Sequence, residues 1–317
     1  MKTRSRQTPK LSAAVAALAM AVGLAACGGG GSAAGGGSSG GMPGKGKPTV
    51  TFGDKNFPEE FLLGELYTQA LRAKGYTVKL KGNIGSSEII DKALTSGKID
   101  AYPEYTGVII TVIGGKTNTH PKSEEKAYQM AKKIEAKRGF ALLEPTPFQD
   151  TDALAVKPPY AKKHHLETIG DLKSVDHWRF GGPAENKTRY EGLVGIHKAY
   201  GLHNVTFVPL EIGLQYQALN SGKIDVATVF TTDGQLLQKN KYAVLKDTKH
   251  IFGFQQAAPV VNKKVLKKEG PAFKRTLNKV SSLLTFKAMQ QLNAAVVLNH
   301  QDAGKVASKF LKANGLK

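Results

Sequence analysis

From Thr49 onward, short apolar runs alternate with segments in which apolar residues return every three or four positions. Thr49-Val50-Thr51-Phe52-Gly53 reads as a strand. Asn56 is placed to cap a following helix, Pro58 suits its first turn, and Glu59 and Glu60 suit the positive end of its dipole. Phe61, Leu62, Leu66, Ala70 and Ala73 then recur at helical spacing, and Gly75 ends the helix. A second strand is predicted at 77–81, a helix at 88–96 stopped by Gly97, and the start of a third strand at 99–102. This β-α-β-α-β order predicts a mainly parallel sheet with helices on both faces.

The pattern then restarts. After a helix predicted at 124–137, Ala153-Leu154-Ala155-Val156 reads as a buried strand. Trp178-Arg179-Phe180-Gly181-Gly182 opens a unit like the first: strand, Gly-rich turn, and a helix over 190–200. A strand at 205–208, a helix at 214–220 and a strand at 224–229 follow. The tail predicts one more strand at 258–261 and amphipathic helices at 271–293 and 302–314. Its simplest place is back on the first unit, with two chain crossings near 149–152 and 231–234 forming a hinge.

A repeated phrase supports two related units. Ala93-Leu94-Thr95-Ser96-Gly97-Lys98-Ile99-Asp100 returns 125 residues later as Ala218-Leu219-Asn220-Ser221-Gly222-Lys223-Ile224-Asp225, changed only at its third position. Five residues after each aspartate stands an aromatic followed by threonine: Tyr105-Thr106 and Phe230-Thr231. The strands from Ile99 and Ile224 should end near these aromatics, where open α/β sheets bind their ligands.

Composition separates the N-terminus from the rest. Lys2, Arg4, Arg6 and Lys10 precede an apolar run over 11–26, too short for a membrane span, which ends in Leu24-Ala25-Ala26-Cys27. This describes a secretory signal with a lipidation site. Cys27 is the sole cysteine, so an internal disulfide is excluded. The expected organisation is a signal peptide at 1–26 and a Gly/Ser-rich tether at 27–48, holding a folded domain at the outer face of a bacterial membrane. The formal charge is +20, and removal of 1–26 takes away four positive and no acidic residues, leaving +16. The lysines are dispersed and no nucleic-acid module appears, so a solvated basic surface is the simpler reading. The histidines have no paired metal-ligand spacing.

Gly53-Asp54-Lys55-Asn56-Phe57, Tyr102-Pro103-Glu104-Tyr105-Thr106-Gly107, Ala153-Leu154-Ala155-Val156, Thr231-Thr232-Asp233-Gly234 and Ala257-Ala258-Pro259-Val260-Val261 together carry a resemblance. Over 49–316 the chain resembles the substrate-binding proteins of osmoprotectant ABC importers, which capture glycine betaine, carnitine, choline and related quaternary amines. The resemblance implies an α/β, two-lobed periplasmic-binding-protein architecture (type II, Venus-flytrap), with two chain crossings at the hinge. Lobe I would comprise 49–152 and 231–317, and lobe II 153–230. It implies a monomeric binding protein without cofactor, serving a membrane permease driven by a separate ATPase.

A quaternary ammonium has no N–H to donate, so aromatic faces hold it best. The resemblance places a cage at Tyr105, Tyr216 and Phe230 and assigns a ligand carboxylate to Lys55 and Arg189, helped by backbone N–H groups at a helix start. Two departures concern selectivity. Asp152 stands where the family often has a cage tyrosine, with Asp150 a weaker candidate beside it, and Val108 stands where the family has a threonine. Ser86 and Ser87 are expected to cap a helix. A solute sensor would share these lobes. An enzyme of the porphobilinogen deaminase type would need a cofactor-bearing cysteine, and the single cysteine is at the lipid position. G-x-S-x-G is matched only at 36–41, inside the Gly/Ser-rich tether, and no G-x-x-x-x-G-K-[ST] motif is present, so neither hydrolysis nor ATP-driven work is expected of this chain.

Overall fold

The structure is a computed structural model that describes residues 41–117 and 119–317. The expected signal peptide, Cys27 and the first part of the expected tether lie outside the described residues. The end of that tether does not behave as one. The amide of Gly44 donates to Lys74 O (2.9 Å), and Lys47 Nζ donates to Lys268 O (2.8 Å), so 41–48 packs on the folded unit.

The first elements are β1 (Val50–Gly53), α1 (Pro58–Ala73), β2 (Val78–Lys81), α2 (Ser87–Thr95) and β3 (Ala101–Tyr105). The N-cap of α1 is Phe57 rather than the expected Asn56, and no side chain caps it. Pro58 at the first position needs no N–H partner there. β3 runs into α3 (Thr106–Val108), which widens into a π-helical stretch at Ile109–Ile113. Then come α4 (Glu124–Lys137), capped by Ser123, and β4 (Phe140–Leu142).

The second set is β5 (Asp152–Val156), α5 (Pro158–His164), β6 (Trp178–Gly182), α6 (Gly195–Tyr200), β7 (Val205–Pro209), α7 (Gln215–Asn220), β8 (Val226–Phe230) and β9 (Ala243–Leu245). The helix expected over 190–200 is broken. Tyr190–Val194 forms a π-helical turn kinked at Gly192, where a Cβ would lie 2.1 Å from Asn186 O. The chain ends in β10 (Ala257–Asn262), α8 (Lys263–Glu269), α9 (Pro271–Leu283), α10 (Phe286–Val297) and α11 (Ala303–Ala313). The helix expected over 271–293 is therefore two, with Thr285 capping the second.

Two five-stranded sheets result, in the orders β2-β1-β3-β10-β4 and β7-β6-β8-β5-β9. They are mixed rather than mainly parallel. β10 is antiparallel to β3 and β4, and β5 is antiparallel to β8 and β9. The second sheet also extends past the expected lobe boundary at Phe230. β9 returns to pair with β5, so the chain joins the first sheet only at Ala257. The two sheets form the two lobes. Phe52, Leu62, Leu66 and Tyr67 pack with Phe273, Leu277 and Leu311 in one core, and Leu154, Trp178, Phe180 and Ile196 anchor the other.

The repeated phrase is a clip between helix and strand. Gly97 (φ +73°) and Gly222 (φ +71°) take the left-handed conformation that ends α2 and α7. Ile99 and Ile224 then plug into the core. Asp100 accepts the Thr51 amide of β1 (2.7 Å), and Asp225 accepts the Arg179 amide of β6 (2.9 Å). Asp100→Ala should cost about 1 kcal/mol through the lost acceptor, seen as a lower urea midpoint with unchanged slope. Asp225→Ala should cost slightly more because Asp225 also pairs with the Arg179 guanidinium (2.7 Å), although solvent screens that pair.

Candidate ligand-binding site

The clips set where β3 and β8 end, and each strand ends on an aromatic. Tyr105 closes β3 and Phe230 closes β8. Phe57, immediately before α1, stands between them. Its ring centroid is 6.3 Å from Tyr105 and 5.8 Å from Phe230, and both pairs are stacked. These rings border a cleft between the two sheets with about 590 Å³ of empty space, its open side included. Lys55, Ser86, Ser87, Val108, Asp150, Asp152, Glu185, Asn186, Arg189 and Gln255 complete most of its wall.

Five of the six expected binding residues, Lys55, Tyr105, Asp152, Arg189 and Phe230, come together in this cleft. Tyr216 does not. It lies in an adjoining chamber that shares Phe57, Asp150, Ile212 and Phe230 with the cleft. Its hydroxyl donates to Asp233 (2.7 Å), and its ring packs edge-on against Tyr242 at 4.9 Å. Tyr216 therefore backs the wall carrying Phe230, whose amide also donates to Asp233 (2.9 Å).

Both expected carboxylate grips are engaged by the protein. Lys55 is buried, and its ammonium contacts Glu104 (2.5 Å), Ser87 (3.4 Å) and Glu60 (3.5 Å). The same ammonium lies 4.3 Å from the Tyr105 ring centroid and 5.6 Å from that of Phe57. Lys55 thus supports the aromatic wall, with its ammonium held by groups of the protein. Burial raises Glu60 to about 8, against the pull of Lys55.

Arg189 reaches across the cleft to Glu88 on α2, with Nε at 3.2 Å and Nη2 at 3.0 Å from Oε1, and Nη2 at 2.8 Å from Oε2. Burial opposes ionisation of Glu88. The hydrogen bonds and charge of Arg189, with Ser86 and the Glu88 amide, nevertheless hold its carboxyl below the usual range. Ser86 occupies the N-cap position without capping, because its hydroxyl donates to Glu88 (2.7 Å).

The remaining wall is acidic. Asp152 begins β5 and lies opposite Phe230 in register. Burial, then repulsion from Glu191, raises its carboxyl to about 7 despite Arg189, its own amide and Asn186. Asp150 is buried and accepts the Thr232 amide (3.1 Å) and hydroxyl (2.7 Å); burial, then Glu59 and Asp233, pushes its carboxyl well up. Behind the rings, Glu59 accepts from Tyr105 Oη (2.8 Å) and Asn293 Nδ2 (2.7 Å), and the Thr232 hydroxyl bridges it (2.5 Å) to Asp150 with its single proton shared between the two carboxyls. One carboxyl thus ties α1, β3, α10 and the segment leaving β8 together.

Sequence reasoning did not identify Phe57, Glu88 or Glu59 as parts of the site. An aromatic directly before a proline-started helix, at the level of the strand ends, was the available signal for Phe57. The pairing of Glu88 with Arg189 has no local signal.

A family model described as the substrate binding domain of ABC-type glycine betaine transport systems matches residues 48–313. A glycine-betaine-binding protein of Pseudomonas aeruginosa is 32% identical over 281 residues, covering 84% of this chain and 88% of that protein. A carnitine transport binding protein of Listeria monocytogenes is 28% identical, covering 86% and 89%. The crystal structure of a glycine betaine/carnitine/choline ABC transporter protein superposes with a TM-score of 0.68 at 29% identity, covering 84% of this chain and 99% of that one.

Proposed function

The chain belongs to the substrate-binding domain family of ABC-type glycine betaine transport systems, and from that premise we propose that its cleft captures a quaternary amine osmoprotectant and delivers it to an ABC permease. The observation that carries this reading is the ring series Tyr105–Phe57–Phe230 beside Asp150 and Asp152. Ring faces attract a diffuse cation that offers no hydrogen-bond donor, and an aspartate adds direct charge attraction. Residues from both sheets line the cleft, so a bound ligand favours the closed arrangement of the lobes. The protein works by binding alone, on the outer face of the membrane, held by lipid at Cys27, and a separate ATPase drives the permease. Calorimetry with choline, glycine betaine, carnitine and proline betaine tests the reading, and absence of heat with all four would overturn it.

The acidic wall makes binding depend on pH. Asp152 titrates at about 7 in the unliganded protein, and a bound cation favours its ionised form. Affinity for choline should therefore rise by several-fold from pH 6 to pH 8 and then level off. In Asp152→Asn that rise should shrink, leaving the part that Asp150 contributes. An equal rise in the variant would remove Asp152 from the surroundings of the cation.

A further inference from the structure

The charged side chains of the cleft wall that could hold an anion already face carboxylates within the protein, although Nη1 of Arg189 is left out of its bonds to Glu88. Lys55 faces Glu104, Glu60 and Ser87. The Ser86 hydroxyl serves Glu88, and Asn186 Nδ2 donates to Thr228 (2.8 Å). Arg189 is forked onto Glu88. Val108 contributes an apolar surface, whereas Asp150, Asp152 and Glu185 contribute acids. This cleft provides for a cation and leaves little for an anion.

We propose that Glu88 is a specificity-determining residue: an internal carboxylate that occupies Arg189 in place of a ligand's, so that the cleft prefers a quaternary amine without a carboxylate, of the choline type, over a zwitterionic betaine. The proposal rests on the reading of the cleft as a quaternary-amine site. A zwitterion entering as the structure stands meets Asp150, Asp152 and Glu185 on the same wall and gains the guanidinium fork of Arg189 only by displacing Glu88. Displacement is a competition between two carboxylates for one guanidinium fork. The Glu88 side chain is already 43% exposed, so it rehydrates readily once displaced. The preference is therefore moderate, on the order of tenfold, and not absolute.

The pair also joins α2 to the segment before α6 across the cleft, so its removal shifts the opening of the lobes. Such a shift changes the affinity of every ligand by the same factor. The ratio of two affinities is blind to it, and that ratio is the quantity to measure.

Calorimetry with choline and with glycine betaine on the wild-type protein and on Glu88→Gln gives the test. The wild type should bind choline about tenfold tighter. Glu88→Gln, which keeps the shape and loses the charge, should move the ratio about tenfold toward glycine betaine. Glu88→Ala should move it the same way, and neither change touches the core. Equal or tighter binding of glycine betaine by the wild type overturns the proposal, as does an unchanged ratio in both variants. Those two results leave the quaternary-amine reading standing. If neither ligand binds the wild type, the role of Glu88 falls, and the quaternary-amine reading falls with it when carnitine and proline betaine give no heat either.

Discussion

Phe57→Ala is expected to lower the affinity for a quaternary amine by about 30-fold. The ring stands between Tyr105 and Phe230 and is stacked on both, so it is the member of the series that joins the two lobes. A well-placed ring contributes up to about 2 kcal/mol to a desolvated cation, and about 1.4 kcal/mol corresponds to each tenfold in affinity. The fold should tolerate the change. Phe57 holds an extended backbone (φ −146°, ψ 160°) that alanine adopts, and its side chain caps nothing. Titration calorimetry on a variant with a native melting profile checks this. An affinity within threefold of wild type would place the cation away from Phe57.

Glu59→Ala should produce the largest loss of stability, about 3 kcal/mol, because it leaves the buried Tyr105 hydroxyl without its acceptor and takes one of two partners from both Thr232 and Asn293. At about 2–4 °C per kcal/mol, the melting temperature should fall by roughly 10 °C. Glu59→Gln should lose much less. Burial raises the Glu59 carboxyl above its ordinary value, against Thr232, Asn293, Tyr105 and Lys55, so the fold favours its neutral form. The sign follows: its contribution to stability is complete below the ordinary carboxyl range and declines as pH rises through the raised value. Melting curves at several pH values should show a weaker pH dependence in Glu59→Gln than in wild type. A melting temperature for Glu59→Ala within 2 °C of wild type would mean that the network holds nothing together.

The sequence revealed what is decided locally and hid what depends on the facing of the two sheets. Glycines with positive φ at 97 and 222 end two helices within a few residues, so the elements around the repeat were legible. Tyr105 and Phe230 were legible as a pair because strand ends direct residues to a common edge. The short β9 gave no reason to pair with β5 rather than follow the tail. The break in the helix at Gly192 depends on the approach of Asn186, which periodicity does not register. Arg189 was identified as a residue of the cleft. Its partner lies 101 positions away, and the charge of that partner changes what the arginine can do.

The sheet orders bear on how the chain acquires its fold. Every strand of the second sheet lies between Asp152 and Leu245, an uninterrupted stretch. The first sheet begins at Val50, yet its fourth strand, β10, is set between β3 and β4 only when Ala257–Asn262 is available. A chain emerging N-terminus first can therefore complete its second lobe while the first still exposes two unpaired strand edges. Closing so long a loop is slow, and the rate of the whole is tied to this late insertion. A chain cut short before residue 257 would lose the strand that joins β3 to β4 in its first sheet, together with α9 and α11, which supply Phe273, Leu277 and Leu311 to the core of that lobe.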